Sequence, residues 1–305
     1  MEKYKIMRTY LITGVTGFVG RNLANKLLKE NYRVVGIGRK DYDTNLNSNK
    51  NYYYLKLDLS LDNLNILDDF KINGIFHLAS QQPSNKDITY EMFYKSNVES
   101  TINLIKYCSS IKLDFFAYTS TISIFGHPHK CPINEDTVPQ PENLYSLTKF
   151  ISEGLLKIES NKLDTKIIVL RLQSVFGNGD GYGIVHTFYE ELKKNIDIEL
   201  YSRGEINRNL VLIDDVVEVL LRLIFKFNDF NKFNIFNVAS NNSLSTYEIA
   251  TIVKDFLKSD ANIICSDKKY IFDWDVFVDN SKLKSQLDFN PNSMENAIVK
   301  YLKQK

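Results

Sequence analysis

A tyrosine and a lysine four residues apart, Tyr145 and Lys149, have the types and spacing of a proton-transfer pair. Residues i and i+4 share one face of a helix, and a free tyrosine has a pKa of about 10, too high for acid–base work at neutral pH. A neighbouring ammonium favours the phenolate and lowers that pKa, which makes proton exchange with an alcohol or a ketone feasible. The spacing alone is not specific, because it recurs at Tyr52/Lys56, Tyr189/Lys193 and Tyr301/Lys305.

The segment before Tyr145 distinguishes it from the other tyrosines. Residues 115–119 read as a short apolar strand that runs into the hydroxyl-rich segment 120–126. A hydroxyl at the carboxyl end of such a strand lies where open α/β sheets bind ligands. We therefore predict that Tyr145 and Lys149, rather than the other pairs, act at a ligand site together with a hydroxyl of this segment.

Three glycines near the amino terminus, Gly14, Gly17 and Gly20, follow a predicted strand and open a predicted helix. Glycine at these positions permits a tight turn, lets the backbone approach a pyrophosphate and packs the helix close to the sheet. The amino terminus of the helix then offers free N–H groups and a positive dipole to phosphate. The pattern predicts a dinucleotide site.

The end of the second predicted strand selects between the two nicotinamide dinucleotides. An acidic residue there bonds the ribose 2′-hydroxyl of NAD, whereas arginine accommodates the 2′-phosphate of NADP. The chain has Gly38 where the acid would stand, followed by Arg39 and Lys40, and arginine offers a planar fork to phosphate. We predict NADP(H) as the preferred cofactor and NAD(H) as the alternative.

The elements that must position these residues alternate in type over the first half of the chain. Strand patterns fall at 10–13, 33–37, 52–57, 74–78, 115–119 and 167–172, and helix patterns at 19–30, 97–109 and 145–159. Such alternation predicts a Rossmann-type α/β fold, a doubly wound parallel sheet covered by helices.

After residue 177 the strand signals become sparse, and helix patterns at 184–194, 214–227, 246–258 and 293–302 dominate. We predict a Rossmann domain at 1–176 to which 210–238 returns. A smaller mixed α/β lobe would comprise 177–209 and 239–305.

Composition limits the classes of partner and compartment. The 305 residues contain 38 Lys+Arg and 37 Asp+Glu, a net charge of +1 that argues against a nucleic-acid partner. Cys108, Cys131 and Cys265 lie far apart, which predicts neither disulfides nor a cysteine zinc site and fits a reducing compartment. His127 and His129 lack a supporting ligand pattern, so no metal is expected.

No apolar run is long enough to span a bilayer, and we expect a cytoplasmic protein without a membrane partner.

These motifs together resemble a known family. Residues 13–20, 77–80, 97–98, 120–126 and 145–149 occur in the order seen in extended short-chain dehydrogenases/reductases. The chain is most similar to the NAD(P)-dependent nucleotide-sugar epimerase/dehydratase branch, which serves polysaccharide assembly, and the similarity covers nearly its whole length. The resemblance implies a nucleotide-diphosphate sugar as substrate and, through helices 97–109 and 145–159, a homodimer.

The resemblance also implies roles for individual residues. Tyr145 would be the acid/base, Lys149 would hold the nicotinamide ribose, and Thr121 would bond the reacting hydroxyl. The implied cofactor-binding residues are Gly14, Thr16, Gly17, Phe18, Val19, Arg39, Lys40, Asp58, Leu59, Leu78, Ala79, Ser80, Asn97, Tyr145 and Lys149. The implied substrate-binding residues are Gln81, Thr121, Ser123, Tyr145, Ser174, Arg208 and Lys269.

Departures from the family pattern narrow the reaction. Sugar 4,6-dehydratases carry an Asp-Glu pair directly after the catalytic threonine, where this chain has Ile122 and Ser123. Ser174 stands where the family usually has asparagine, and Lys269 near where it has a second arginine. The missing acid pair disfavours dehydration. Because Gly38, Arg39 and Lys40 favour NADPH, the expected reaction is NADPH-dependent reduction of an NDP-4-keto-6-deoxyhexose at C4. The alternatives are an NDP-hexose 4-epimerase with tightly bound NAD and a non-catalytic NADP(H)-sensing or RNA-binding protein.

Overall fold

A computed structural model of the chain describes residues 7–41, 45–83, 88–128, 131–179, 182–269 and 273–305. These residues form two compact units. The first contains the described residues of Met1–Gly126, Pro141–Arg171 and Val217–Phe236. The second contains those of His127–Gln140, Leu172–Val216 and Asn237–Lys305.

A seven-stranded sheet forms the centre of the first unit, and β6 and β11 continue a residue or two beyond it. Its strands, numbered in chain order, are β1 Thr9–Thr13, β2 Arg33–Gly38, β3 Tyr52–Lys56, β4 Ile72–His77, β5 Phe115–Thr121, β6 Lys166–Leu172 and β11 Phe233–Val238. The spatial order is β11-β6-β5-β4-β1-β2-β3. The four pairings from β5 to β3 are parallel. The predicted doubly wound α/β fold is confirmed.

The order of the strands reverses direction between β1 and β4, since the chain passes from β1 outward to β3 and returns to β4. In open α/β sheets, ligands bind outside the carboxyl ends of the strands at such a switch point. β1 is buried at all five positions, as expected of a strand covered on both faces.

Helices cover this sheet. They are α1 Phe18–Lys29, α2 Tyr90–Phe93, a π-helical turn Tyr94–Glu99, α3 Ser100–Ser110 and α4 Leu144–Glu159. Short 3₁₀ turns span Asn45–Ser48, Leu64–Asp69, Ile122–Phe125 and Phe227–Asp229. The helical run containing α3 begins seven residues before the predicted start at residue 97, because Thr89 caps it by accepting the Met92 N–H. The sequence there is too polar and aromatic to show a helical apolar stripe.

The second unit has its own core. Its helices are α5 Ile184–Lys193, the start of α6 Ile213–Lys226, α7 Thr246–Leu257, α8 Ser281–Leu287 and α9 Met294–Leu302. Its strands are β7 Val175–Phe176, β8 Ile198–Leu200, β9 Asn207–Arg208, β10 Val211–Leu212, β12 Leu244–Ser245 and β13 Ile263–Cys265, in three two-stranded ladders. A 3₁₀ turn spans Ser202–Gly204. Leu192, Ile249 and Ile298 pack within one buried cluster. Among the described residues, no helix combines the length and apolar character needed to cross a bilayer.

One segment belongs to a different unit from the one that the sequence suggested. Residues 127–140 fall inside the predicted Rossmann domain but pack with the second unit. Ile133 forms a parallel bridge with Val278, donating its N–H to the Phe277 carbonyl at 2.8 Å and accepting from Asp279 at 2.8 Å. Glu135 accepts the N–H of Asn237 at 2.8 Å. These long-range bonds leave no periodic signal in the sequence.

Candidate active site

The turn between β1 and α1 needs glycine for close backbone packing. Gly14 has φ +68°, in the left-handed region, and a Cβ there would lie 2.7 Å from Ala79 backbone atoms. A Cβ on Gly20 would lie 2.3 Å from the Gly14 carbonyl oxygen. Side chains at these positions would push the turn and the helix apart, so these two glycines hold the turn against α1 and the segment after β4.

A groove of about 660 Å³, part of it open to solvent, lies at this switch point. It is lined by Gly14, Thr16, Gly17, Ile37, Gly38, Arg39, Leu57, Asp58, Leu59, Leu78, Ala79, Ser80, Ser96 and Ser100. Gly17 is the N-cap of α1 and provides no side-chain cap, so the first N–H groups of the helix have no capping oxygen from it. This is the donor arrangement that phosphate needs, and the groove fits a dinucleotide.

Nine of the predicted cofactor-binding residues line this groove. The other predicted residues, which are not among the described residues that line it, are Phe18, Val19, Lys40, Asn97, Tyr145 and Lys149. Asn97 is only 1 % exposed. Its side-chain oxygen accepts the Gln81 N–H at 2.7 Å, and its amide donates to Thr148 Oγ1 at 3.0 Å. These bonds make Asn97 a residue that ties the segment after β4 to α4.

Charged groups stand at the outer part of the groove. Asp58 follows β3, and its carboxylate accepts hydrogen bonds from the N–H and hydroxyl of Ser60 at 2.9 and 2.7 Å. Partial burial opposes ionisation of Asp58, but the Ser60 hydrogen bonds and the positive charge of Arg39 outweigh it and lower the pKa of this carboxyl. Arg39 is exposed at the end of β2. The groove therefore presents both an acceptor and a guanidinium.

Gly38 cannot be exchanged for an acid without rearrangement. A Cβ there would lie 2.7 Å from the Tyr54 hydroxyl and 3.0 Å from Thr16 Cγ2. The Tyr54 hydroxyl donates to the Lys40 carbonyl, which holds the ring against the end of β2. Tyr54 thus occupies space that a longer residue at position 38 would need.

The predicted catalytic residues come from two adjacent elements. Thr121 ends β5, and Tyr145 and Lys149 lie on α4. Asn143 begins α4 through a capping box in which its side chain accepts the Ser146 N–H at 2.9 Å. This cap fixes Tyr145 in the first turn of the helix and Lys149 one turn later.

The hydroxyl of Tyr145 is surrounded by polar side chains of the first unit. Gln82 Nε2 donates to it at 3.1 Å. Burial raises the pKa of Tyr145, while hydrogen bonds with Gln82, Thr121 and Ser80 oppose the rise. The sequence predicted that Lys149 would lower this pKa. That prediction is wrong for this structure, in which burial dominates and the opposing groups are neutral hydrogen-bonding side chains.

Lys149 is only 1 % exposed, and its ammonium lies 4.3 Å from the centroid of the Tyr118 ring. Burial lowers the pKa of Lys149 to about 7, and the negative charge of Glu153 opposes that change. Glu153 itself is held by Arg171, whose Nη2 lies 2.9 Å from Oε2, with both side chains 4 % exposed. The ammonium therefore lies in a dry site with one carboxylate a helical turn away.

The positions after Thr121 contain no acid or base. Ile122 is buried in the core of the first unit. The Ser123 hydroxyl lies 2.9 Å from Thr121 Oγ1, and the Ser123 N–H donates to the same oxygen at 3.1 Å. Ser123 thus orients the Thr121 hydroxyl, and these positions supply no carboxylate for eliminating water.

The remaining predicted substrate residues lie in the second unit. Arg208 Nη1 donates to the Trp274 carbonyl at 2.9 Å, and Lys269 Nζ lies 3.4 Å from Asp273 Oδ2. Ser174 is exposed, and its N–H donates to Gln173 Oε1 at 2.8 Å. The two cations are thus held at one segment of the second unit by a carboxylate and a backbone carbonyl.

The chain has relatives among known proteins. The profile of the NAD dependent epimerase/dehydratase family matches residues 10–239. The chain belongs to this family. It is 32% identical over 249 residues to an uncharacterized protein of Methanocaldococcus jannaschii, covering 75% of this chain and 74% of that protein. It is 28% identical over 229 residues to the UDP-glucose 4-epimerase of Mycolicibacterium smegmatis, covering 71% and 72%.

The fold is shared with solved structures of other proteins. The UDP-glucuronic acid 4-epimerase of Bacillus cereus, solved in complex with UDP-glucuronic acid and NAD, matches with a TM-score of 0.82 and 23% identity. The match covers 97% of this chain and 99% of that one.

Several residues of the site were not predicted from the sequence. Ser96 in the π-helical turn and Ser100 at the start of α3 line the groove. Gln82 reaches Tyr145 from a segment with no regular structure. Glu153 stands four residues after Lys149, so its spacing on α4 was a signal that could have been read.

Proposed function

We propose that this protein is a nucleotide-sugar 4-epimerase that retains NAD and acts on a UDP-hexose. The observation that carries the proposal is that Tyr145 makes hydrogen bonds with Thr121 and with Ser80, which lines the dinucleotide groove. Ile122 and Ser123 follow Thr121 instead of an acid pair. Such a site can oxidise and reduce a sugar alcohol but lacks the carboxylates for dehydration. The named epimerase among its relatives supports the same reaction.

The chain's own residues would perform the proton transfers. Tyr145 would take the proton of the sugar C4 hydroxyl, and Thr121 would hold that hydroxyl by a hydrogen bond. When bound, the dinucleotide supplies the chemistry of accepting a hydride from C4 and returning it. Tyr145 would give its proton back to the C4 oxygen on the opposite configuration. Lys149 would hold the nicotinamide ribose, with its ammonium shielded from water.

A second candidate, NADPH-dependent reduction of an NDP-4-keto-6-deoxyhexose, is favoured by one feature. Arg39 stands exposed at the end of β2, and Gly38 replaces the acid that would bind the NAD ribose. A guanidinium suits a 2′-phosphate. The Asp58 carboxylate, close to Arg39, is negatively charged and would repel a 2′-phosphate, so it opposes the preference for NADP.

Tyr145→Phe tests whether the protein is an enzyme at all. Removing the acid/base should lower turnover of a UDP-hexose by roughly 10²- to 10⁴-fold, while the affinity for the dinucleotide, measured by calorimetry, stays unchanged. A protein that only senses NADP(H) or binds RNA would show no turnover to lose.

The exposed face of α4 supports the expected homodimer. Leu147, Phe150 and Ile158 are exposed apolar side chains that share this face. Gly154 lies between them, and a Cβ there would meet no atom within 4 Å, which leaves room for a second helix. We expect a dimer by light scattering and its loss in Gly154→Trp; a parent protein that is monomeric at micromolar concentration would contradict this.

A further inference from the structure

The segment that follows β4 brings a side-chain amide to the reactive oxygen of the site. Gln82 Nε2 donates a hydrogen bond of 3.1 Å to the Tyr145 hydroxyl. A carboxamide N–H is a donor that carries no charge and does not titrate. It therefore stabilises a phenolate at every pH at which the protein is folded.

Hydrogen bonds of the buried Asn97 fix the position of Gln82 relative to Tyr145. Asn97 accepts the Gln81 N–H at 2.7 Å and donates to the Gln81 carbonyl at 3.3 Å, which pins the segment that carries Gln82. The same amide donates to Thr148 Oγ1 at 3.0 Å, on the helix that carries Tyr145. One buried asparagine thus holds both partners of the Gln82–Tyr145 bond.

We propose that Gln82 is a catalytic residue that stabilises the Tyr145 phenolate by donating a side-chain hydrogen bond to its oxygen. The inference rests on the proposed function for its chemical purpose. When the sugar hydroxyl gives its proton to the Tyr145 oxygen, Gln82 neither gains nor loses a proton. Its hydrogen bond stabilises the phenolate before the proton transfer. The same hydrogen bond becomes weaker once the Tyr145 oxygen is protonated.

The ionisable groups on the neighbouring elements are not among the groups that lower the pKa of Tyr145. Tyr118 on β5 is buried, and burial raises its pKa, so it stays neutral. Burial lowers the pKa of His77 on β4 to about 3, so this imidazole is neutral as well. On α4, Lys149 lies over the Tyr118 ring, and Glu153 is paired with Arg171. Among the side-chain hydrogen bonds that lower the pKa of Tyr145, the one from Gln82 has the largest effect.

The test measures the ionisation of Tyr145 directly. A fluorotyrosine is placed at position 145 by genetic code expansion, and its fluorine NMR shift is followed against pH in the full-length protein. Gln82→Met keeps the length of the side chain but removes the donor, and should raise the titration midpoint by roughly half to one unit. Gln82→Glu should raise it further, because an ionised carboxylate beside the phenolate repels it. Gln286→Met makes the same change on the exposed face of α8 and should leave the midpoint in place.

Turnover supplies a second readout. In Gln82→Met the rate at neutral pH should fall up to tenfold, the alkaline shift of the pH–rate profile should match the NMR shift, and the KM of the sugar should change little. An unchanged midpoint in a folded Gln82→Met protein, judged by its Tm, would overturn the proposal. A shifted midpoint in a protein that turns over no nucleotide sugar would uphold the role of Gln82 and reject the proposed function instead.

Discussion

Glu153 and Arg171 form a buried ion pair in which the guanidinium approaches the carboxylate at 2.9 and 3.2 Å. Arg171 also lies over the ring of Phe125, 5.2 Å from its centroid, in the turn that follows Thr121. The pair thus connects α4, which carries Tyr145 and Lys149, to β6 and to the turn after Thr121. We propose that it supports the predicted catalytic residues structurally.

Breaking this pair should be costly. Glu153→Gln leaves the Arg171 charge buried without its partner, and we expect a loss of about 3–5 kcal/mol in the free energy of unfolding. Glu159→Gln, on the same helix, removes an exposed contact with Lys162 and should cost less than about 1 kcal/mol. Urea denaturation of the two variants makes the comparison. Equal losses would mean that the pair does not support the site.

The buried Lys149 should lower the free energy of unfolding of the protein at neutral pH. Since its pKa is lowered to about 7 by burial, the unfolded chain binds more protons at this site between pH 7 and about 10. The free energy of unfolding contributed by this residue therefore rises with pH across that window. Lys149→Met should remove this rise, increase the Tm at pH 7 by roughly 3–6 °C, and abolish activity. Parallel stability–pH curves for parent and variant would contradict the low pKa.

The glycine turn can be tested with a matched pair of substitutions. Gly20→Ala places a Cβ 2.3 Å from the Gly14 carbonyl, so we expect a loss of stability of about 2 kcal/mol or more and weak dinucleotide binding. Gly154→Ala adds the same methyl group in α4, where no atom of the same chain lies within 4 Å, and should leave dinucleotide binding unchanged. Thermal unfolding and calorimetric titration with NAD measure both effects. Equal behaviour of the two variants would show that close packing at Gly20 is unimportant.

We expect the choice between NAD and NADP to depend on Arg39 and Gly38. Arg39→Ala should weaken NADPH binding by about tenfold or more and leave NADH almost unaffected, because only the 2′-phosphate uses the guanidinium. Gly38→Asp alone should weaken both dinucleotides, since its side chain meets Tyr54, and Gly38→Asp combined with Tyr54→Ala should bind NADH more tightly than the single variant. Isothermal titration distinguishes the cases. Equal loss of both dinucleotides in Arg39→Ala would show that this residue does not choose between them.

The sequence predicted the elements that bury a periodic apolar face. The four helices predicted after residue 177 agree with the structure within one residue at each end, and the strands of the sheet within two, because buried faces impose a period on the side chains. The glycine turn was predicted from Gly14, Gly17 and Gly20, whose spacing reflects backbone approach.

What the sequence could not predict depends on contacts between distant segments. The two-residue strands β7, β9, β10 and β12 are too short to show alternation. The attachment of Ile133 to Val278 and the reach of Gln82 to Tyr145 are set by tertiary packing. The pKa of Tyr145 was predicted from its neighbour Lys149, but the degree of burial, which only the fold determines, has the larger effect.

The most direct test of the account incubates the purified protein with UDP-hexoses, without added cofactor, and follows the configuration at C4 by NMR. We predict interconversion of a C4-epimeric pair to equilibrium, which Tyr145→Phe should slow by roughly 10²- to 10⁴-fold while the fold is retained. Failure to interconvert any UDP-hexose, together with stoichiometric NADPH oxidation in the presence of an NDP-4-keto-6-deoxyhexose, would contradict the epimerase and establish the reductase.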